Sequence, residues 1–208
     1  MSDTISAQHD EALPISLRER KKHLVQTTIE ETALRLFQQQ GYEQTSIQDI
    51  ADAVMMSTRT FFRYFASKEE VLLGSMHTAL SECIRSLQQV TATESPQRAL
   101  RTTFVYLANL YQQQRDSFLI RYRVAVQTPS IASIYLYALM EREPAMCNAL
   151  CSHLEAATNR KEIRALVAIY MTAFRLALEV WLESGAQGDL VSSLCEHLDY
   201  FSSLSPNA

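Results

Sequence analysis

Turn-forming residues are scarce in this sequence. Only four glycines and five prolines occur among its 208 residues, whereas a protein rich in strands needs frequent turns of that chemistry. The scarcity argues against a β-rich fold and predicts an all-α protein. Long apolar runs are missing too: no stretch of about 18 apolar residues occurs, so we expect no membrane-spanning segment and no membrane partner.

Cysteine is rare as well, and its four positions, Cys83, Cys147, Cys151 and Cys195, form no CxxC pair. Cys147 and Cys151 are one helical turn apart and His153 follows them, which leaves a metal or redox role open. A structural zinc site needs a fourth ligand, and none stands at a suitable spacing. We therefore predict buried structural thiols in a reducing compartment, no metal site and no cofactor.

Catalytic patterns are absent from the sequence. It contains no ordered Ser/His/Asp set, no HExxH, no P-loop and no dinucleotide-binding glycine pattern. The chain is therefore expected not to be an enzyme. Its polar, acidic N-terminus lacks the charged and then apolar pattern of a signal peptide, so we expect a cytoplasmic protein.

Charge is distributed unevenly along the chain, whose formal net charge is −4. Residues 1–17 carry a net charge of −3, residues 18–68 carry +2, and residues 69–208 carry −3. An acidic protein does not bind nucleic acid indiscriminately, but the local excess of cations, densest in Arg18–Lys22, is compatible with a specific contact.

Helical periodicity and capping residues divide the rest of the chain into helices. The first 16 residues are polar, show no periodicity and are predicted to be a disordered arm. The predicted helices span residues 17–40, a two-turn segment after Thr45 or Ser46, residues 58–64, a segment opening at Ser67, one opening at Pro96, and residues 116–127, 129–155 (with a break or kink allowed at Pro144), 161–184 and 189–204.

The helices within residues 20–65 have the outline of a helix-turn-helix, because a tight turn joins the last two. In that motif the later helix enters the major groove with its N-terminal side chains near base edges. Phe61 and Phe65 lie one turn apart and are predicted to pack inward, which leaves Arg59 and Phe62 on the opposite side. A merely solvated basic face is the alternative, but it does not explain a helix so short and so rich in aromatic residues.

The segment from Arg20 to Leu73 resembles the TetR family of bacterial transcriptional regulators. The likeness rests on several motifs in order: Ala33 and Phe37 before GYEQTS, then IADA, then TFFRYF, then SKE. It implies an all-α homodimer of about nine helices whose first three bind double-stranded DNA. The larger C-terminal part is then expected to dimerise and to hold a small-molecule effector, without enzyme activity.

The resemblance also implies a division of the chain. We expect a disordered N-terminal arm at residues 1–16, a helix-turn-helix DNA-binding domain at 17–67, and a helical ligand-binding and dimerisation domain at 68–208.

Site residues for DNA follow from the resemblance and from helical periodicity. Arg59 can read a guanine or pair with a phosphate, and the hydroxyl groups and cations nearby are suited to phosphates. The predicted DNA-binding residues are Thr45, Ser46, Thr58, Arg59, Thr60, Phe62, Arg63, Tyr64 and Lys68.

Two positions in this segment depart from the family pattern. Phe62 stands where the family often has Tyr, so a phenolic phosphate contact is missing. Met55 stands in the turn where the family usually has a small or polar residue. A Met held at positive φ costs on the order of 1 kcal/mol, so either the turn avoids that conformation or Met55 carries strain.

The C-terminal half contains an unusually apolar helix over residues 163–185, which needs partners on several faces. One face is predicted to pack inward and another across a two-fold axis, with residues 189–204 completing a four-helix interface; a monomer core is the alternative. The predicted interface members are Leu166, Tyr170, Leu178, Leu194 and Leu198.

A mostly apolar ligand pocket is also predicted in this half, with aromatic walls and two arginines that could meet an anionic ligand. The same large side chains could instead be ordinary core. The candidates are Phe104, Tyr111, Phe118, Arg121, Tyr122, Tyr135, Met140, Phe174, Arg175 and Trp181.

These observations predict a ligand-responsive transcriptional regulator. It would be a repressor that binds a pseudo-palindromic operator as a dimer and is released by a small-molecule effector. The alternative is a helical protein that binds or sequesters a small molecule and no longer uses its DNA-reading head.

Overall fold

The computed structural model describes residues 16–91, 94–152 and 159–204, with only the backbone of residues 75–77, 135–136 and 138–139. The described residues form nine α-helices and no strand, which confirms the predicted all-α fold. The helices are α1 (Leu17–Gln40), α2 (Ile47–Ala53), α3 (Thr58–Phe61), α4 (Lys68–Leu87), α5 (Pro96–Gln113), α6 (Arg115–Gln127), α7 (Pro129–Cys151), α8 (Arg160–Glu183) and α9 (Leu190–Ser203). The predicted arm lies outside the described residues except for Ser16, the N-cap of α1.

Side-chain caps begin the helices where the sequence predicts them. Ser46 Oγ accepts a hydrogen bond from the Asp49 amide at 3.1 Å, and the Asp49 carboxylate accepts one from the Ser46 amide at 2.8 Å. Hydrogen bonds from the hydroxyl and amide of Ser46 hold the pKa of Asp49 below its ordinary value. Ser67 Oγ caps α4 by accepting from the Glu70 amide at 3.2 Å. The Glu70 carboxylate accepts from the Ala66 amide instead of from Ser67, so the two residues do not form a reciprocal capping box.

Two features of α7 bear on the sequence predictions: the path of the helix at Pro144 and the state of its cysteines. The helix runs through Pro144 without interruption. Cys147 is buried and Cys151 half-buried, and both thiols are free. Among the described residues, no group of three His, Cys, Asp or Glu side chains could hold a metal ion, and His153 lies outside those residues.

Two hydrophobic cores lie along the chain, which we call the head core and the body core. The body core begins at Leu73 and continues through the later helices. The predicted boundary at residues 67 and 68 stays a prediction, because α4 passes from one core to the other between Leu72 and Leu73. The head core consists of Ile29, Ala33, Leu34, Phe37, Tyr42, Ile50, Ala51, Phe61, Phe65, Val71, Leu72, Val124 and Ile131.

Helix α8 is the most apolar element of the body. By length and composition alone it could cross a membrane, a test that the core helix of a soluble protein also passes. It packs against α5, α7 and α9, and buries side chains such as Val167, Ala173 and Phe174 along one side. These contacts are those of a core helix. The absence of a membrane partner stays a prediction.

A buried guanidinium joins three helices at the junction of the two cores. Arg121 of α6 is only 1% exposed. Its Nε donates to the carbonyl oxygen of Leu72 in α4 at 2.8 Å, and its Nη2 donates to Glu30 Oε2 in α1 at 3.1 Å. Nη1 donates to the hydroxyl of Ser117. A buried charge is tolerated only when it is paired and hydrogen-bonded, so this residue holds α1, α4 and α6 in one arrangement.

Gly74 leaves room for the carboxylate of Glu30. A Cβ atom at this position would lie 2.6 Å from Glu30 Oε1, so a side chain here would displace the group that pairs with Arg121. Burial raises the pKa of Glu30 and the charge of Arg121 opposes that rise, as expected for a carboxylate held in a partly dry site.

Replacing Glu30 by Gln removes the negative partner of Arg121. The arginine keeps its charge in a buried site, so the free energy of unfolding should fall by about 2 kcal/mol, less than for a fully buried pair because Glu30 is partly exposed. Chemical denaturation measures the change. The control is Glu31→Gln on the exposed side of α1, which should stay within about 0.5 kcal/mol. Equal effects of the two substitutions would contradict this role of Glu30.

Candidate nucleic-acid interface and ligand cavities

The predicted helix-turn-helix is formed by α2, α3 and the turn between them. Phe61 is fully buried and Phe65 nearly so, with ring centroids 5.9 Å apart. Both pack in the head core with Ile29, Phe37 and Ile50, as predicted. Helix α3 is shorter than the predicted segment 58–64, since it ends at Phe61 and continues as a hydrogen-bonded turn through residues 62–64.

The turn that aims α3 carries backbone strain at Met55. Its φ is +55°, which L-residues other than Asn and Asp rarely adopt. The Met55 amide donates to the carbonyl of Asp52 at 3.0 Å and the Met56 amide donates to that of Ala51 at 2.9 Å. The Met55 side chain is 94% exposed and so gains little from packing. Of the two possibilities that the sequence left open, strain at Met55 is therefore the one observed.

The outward side of α3 and the following turn forms a surface that we call the reading face. Arg59, Phe62 and Arg63 are exposed on it, and Phe62 leaves 54% of its surface accessible. The Arg63 guanidinium lies 5.6 Å from the centre of the Tyr64 ring. The hydroxyl of Thr60 is hydrogen-bonded to that of Ser57, the N-cap of α3, at 2.9 Å, and Thr58 is half-buried. The face thus offers two cations beside an aromatic ring.

The prediction that Thr45 presents its hydroxyl to DNA is wrong. Its side chain is 1% exposed. Its Oγ1 donates to the carbonyl of Gly41 at 2.7 Å and accepts from Gln40 Nε2 at 3.2 Å. The loop that turns the chain from α1 into α2 also contains Gly41, whose φ is +90°. The two hydrogen bonds of Thr45 close this loop. Position along the chain did not distinguish this internal role from a surface role.

Lys68 and Ser46 are also committed to bonds within the head. Lys68 Nζ donates to the carbonyl oxygens of Tyr42 at 2.7 Å and Thr45 at 3.0 Å, and it lies 4.0 Å from the centre of the Tyr42 ring. Two of its three N–H groups are therefore used to hold the loop between α1 and α2. The hydroxyl of Ser46 donates to Asp49 at 2.7 Å as part of its cap.

A groove next to the reading face was not identified from the sequence. It has a volume of about 1300 Å³ and is open to solvent. We call it the α1 groove. It is lined by Ser16, Leu17, Arg18, Glu19, Lys21, Lys22, Val25, Arg63 and Tyr64. Its two walls are separated by some 40 positions in the sequence, so local patterns did not reveal it.

The predicted pocket residues divide between two cavities. The α6–α8 cavity, of about 260 Å³, is lined by Tyr111, Phe118, Arg121, Tyr122 and Arg175 among the predicted residues. The α7–α8 cavity, of about 170 Å³, is lined by Phe104, Met140, Phe174 and Arg175. Trp181 lines neither; it is buried and donates to the carbonyl of Gly188. The side chain of Tyr135 lies outside the described residues.

A more polar cavity of about 550 Å³ lies between α1, α4, α5 and α6. Four carboxylates line it, from Glu30, Glu31, Glu82 and Asp116, together with His23 and Arg121. Only Arg121 among these was predicted as a pocket residue. Arg121 borders both this cavity and the α6–α8 cavity, so it separates the acidic side of the junction from the aromatic side.

Known proteins resemble this chain in sequence and in fold. Residues 29–74 match the family model described as bacterial regulatory proteins, tetR family. The HTH-type transcriptional regulator TcmR of Streptomyces glaucescens is 29% identical over 173 residues, which cover 79% of this chain and 76% of TcmR. A regulator of the TerR/AcrR family from Aquifex aeolicus shares the fold with a TM-score of 0.54 and 18% identity, covering 86% of this chain and 98% of that one. FadR of Bacillus subtilis, solved in complex with stearoyl-CoA, has a TM-score of 0.50 and 15% identity, covering 83% and 95%.

The head and the likeness to these relatives define a helix-turn-helix DNA-binding regulator. The family match covers α2, α3 and their supports in α1 and α4. Residues 29–74 carry the DNA-binding head of the TetR family of bacterial transcriptional regulators, and the chain is similar to such a regulator over most of its length.

Replacing Met55 by Gly should raise the stability of the head. Glycine adopts the observed φ without the clash of a Cβ atom, and the exposed Met55 side chain gives up no buried packing, so we expect a gain of about 0.5–1 kcal/mol. The measurement is the free energy of unfolding in urea. Ala53→Gly, at an exposed position of α2, is the control and should lose about 1 kcal/mol. A destabilisation at Met55 similar to that at Ala53 would mean that the turn is not strained.

Proposed function

We propose that this protein represses transcription by binding a pseudo-palindromic operator as a homodimer and that a small-molecule effector releases it. The observation that carries the proposal is the reading face, where Arg59, Phe62 and Arg63 are exposed on α3 and the turn after it, held in place by the buried Phe61 and Phe65. Rigid support of this kind is what base recognition requires, because a bidentate contact tolerates little displacement.

Within the reading face, Arg59 is the residue that we assign to base recognition. It lies in the first turn of α3, the part of a recognition helix that comes nearest to base edges. Its paired donors match the two acceptors of guanine. Phe62 can contact a thymine methyl group, and Arg63 and Tyr64 can hold phosphates beside it.

The proposed dimer uses a different set of α8 and α9 residues from the predicted one. Tyr170, Leu194 and Leu198 are buried within one chain, so their assignment to the interface is wrong; Leu166 and Leu178 are half-buried. Helical spacing alone could not separate the inner face from the outer one. The exposed large apolar side chains on α8, on α9 and just after α9 are Ile169, Val180, Tyr200 and Leu204, and the half-buried Leu176 lies between the first two.

These accessible residues support a two-fold interface because Leu176 and Val180 follow Ile169 on α8 by two and three helical turns, so the three form one stripe. Ile169 is 40% exposed and Val180 55% exposed, and adjoining exposed apolar side chains are a feature of interaction surfaces. A symmetric pairing of the stripe with its copy would place two reading heads on one DNA duplex.

The proposed effector site is the α6–α8 cavity. Its wall is largely aromatic and apolar, with the ring of Tyr111 stacked on Phe118 at 3.6 Å, and Arg175 at the cavity is paired with Glu179 at 3.1 Å. FadR shows that a protein of this fold can bind an acyl-CoA. These features suit a mostly apolar molecule with a polar or anionic group.

Release from DNA would pass through α6, since this helix lines the cavity and carries Arg121. A ligand that favours another position of α6 would weaken the bonds of Arg121 to Glu30 in α1 and to the carbonyl of Leu72 in α4. The shift in operator affinity can be no larger than the preference of the ligand for one arrangement over the other. An effector that binds tightly and leaves operator affinity unchanged would contradict this step.

The test of the proposed function is operator binding by Arg59→Ala. With DNA from upstream of the protein's own gene, the variant should bind about 5- to 150-fold more weakly, because a base contact of this kind contributes about 1–3 kcal/mol. Arg98→Ala in α5 removes the same charge from the body and should bind normally. Fluorescence anisotropy measures both. If the wild-type protein prefers no sequence while it binds small molecules, the sequestering alternative is favoured.

The dimer is tested with the double variant Ile169→Glu, Val180→Glu. Two charges on the proposed stripe should shift the protein to a monomer in analytical ultracentrifugation, because unpaired carboxylates would be desolvated at the interface. Leu24→Glu, at an exposed apolar position of α1, is the control and should leave the mass unchanged. Thermal unfolding confirms that each variant is folded. A double variant that remains dimeric would place the interface elsewhere.

A further inference from the structure

The α1 groove contains a row of cations that helix geometry places together. Arg18, Lys21 and Lys22 are three and four residues apart on α1, so their side chains project on the same side of the helix. Arg63 closes the groove from the turn after α3. All four side chains are exposed. The groove therefore extends the reading face, from which Arg63 and Tyr64 are shared, toward the N-terminus of α1.

These cations are not neutralised by carboxylates within the described part of the chain. None of the four forms an ion pair there. Glu19 is the one acidic residue that lines the groove, and its carboxylate accepts from the amide of Ser16 at 3.0 Å and from the Ser16 hydroxyl at 2.7 Å. These hydrogen bonds from Ser16 lower the pKa of Glu19, which marks its carboxylate as part of the α1 cap.

Helix stability does not explain the position of the row. The N-terminus of a helix carries a partial positive charge, so a cation in the first turn is unfavourable there. Arg18 lies in the first turn of α1, and Lys21 and Lys22 lie in the second, beyond the main reach of this effect. Helix stability thus gives no reason for the row, whereas an anionic partner does.

Two of the predicted DNA-binding residues have less to offer to phosphates than the sequence suggested. Thr45 is buried, and Lys68 uses two of its three donors on loop carbonyls. Half to two-thirds of the hydrogen bonds in a protein–DNA interface go to phosphate and sugar groups, and these contacts set the register of the reading helix. The α1 groove has the right charge and adjoins the reading face.

We propose that the α1 groove binds the DNA backbone beside the half-site, with Arg18, Lys21 and Lys22 on successive phosphates and Arg63 between them and the base-reading residues. The inference rests on the proposed DNA-binding function. The partner is duplex DNA, recognised by its charge and not by its sequence. Through these contacts α1 fixes the position of α3 in the major groove.

The experiment compares two triple variants of the full-length protein, each with three positive charges removed. The groove variant is Arg18→Gln, Lys21→Gln, Lys22→Gln. The control variant is Arg35→Gln, Arg98→Gln, Arg123→Gln, whose residues are exposed and do not line the groove. Affinity is measured over a series of salt concentrations for two duplexes of equal length, the upstream DNA of the protein's own gene and a scrambled sequence.

The groove variant should bind both duplexes more weakly and with less dependence on salt. The slope of log affinity against log salt should fall by about 0.9 for each phosphate that is no longer bound, or about 2.7 per head. The ratio of the affinities for the two duplexes should stay the same, because phosphates carry no sequence information. The control variant should keep a slope close to that of the wild type. The melting temperatures of both variants should stay close to that of the wild type, because all the substituted residues are exposed.

A shortened duplex locates the contact. Removing about one helical turn of DNA, 10 base pairs, from each flank should weaken binding by the wild type. The same shortening should leave the groove variant unaffected, since that variant does not touch the removed flank.

The outcomes separate the two proposals. A wild type that shows no preference for any sequence contradicts the proposed function, while the scrambled duplex still tests the groove. Equal salt slopes for the groove and control variants, or equal weakening on the shortened duplex, overturn the inference even if specific operator binding is found. A wild type that binds neither duplex overturns both.

Discussion

The arrangement of this molecule depends on how a single buried charge is satisfied. Arg121 has almost no contact with solvent, so each of its bonds must be made within the protein. Those bonds reach Glu30 in α1, the Leu72 carbonyl in α4 and Ser117 in its own helix. Because removing a partner of a buried charge is strongly unfavourable, these bonds favour one arrangement of α1, α4 and α6 at the junction of head and body.

Some polar residues of the head form hydrogen bonds within it, and others are exposed to solvent on the reading face. Lys68 and Thr45 look like surface groups in the sequence, yet they close the loop between α1 and α2. Their internal bonds give the short helix α3 a rigid base. The cations that remain exposed, Arg59 and Arg63, then stand on a support that does not depend on them. Substitutions on the reading face can therefore change which partner is bound without destabilising the fold.

Much of the fold could be predicted from the sequence because its signals are local. Capping residues such as Ser46 and Ser67 mark helix starts, and apolar spacing marks the faces that pack. The errors concern choices between two faces that local signals leave equal. Leu194 and Leu198 have the spacing of an interface and also of a core, and only the packed chain shows that they face inward. The α1 groove joins segments far apart in sequence, so no single motif could indicate it.

The composition of the head core has a consequence for how the chain is made. Val124 and Ile131 belong to this core although they follow its other members by some 50 positions or more. A ribosome delivers the N-terminal segment first, and that segment lacks part of its apolar interior until α6 and the start of α7 have emerged. Contacts of such sequence separation are closed late because of their loop entropy. The interior of the head is therefore completed only after much of the body has been synthesised, so the two parts cannot finish folding independently.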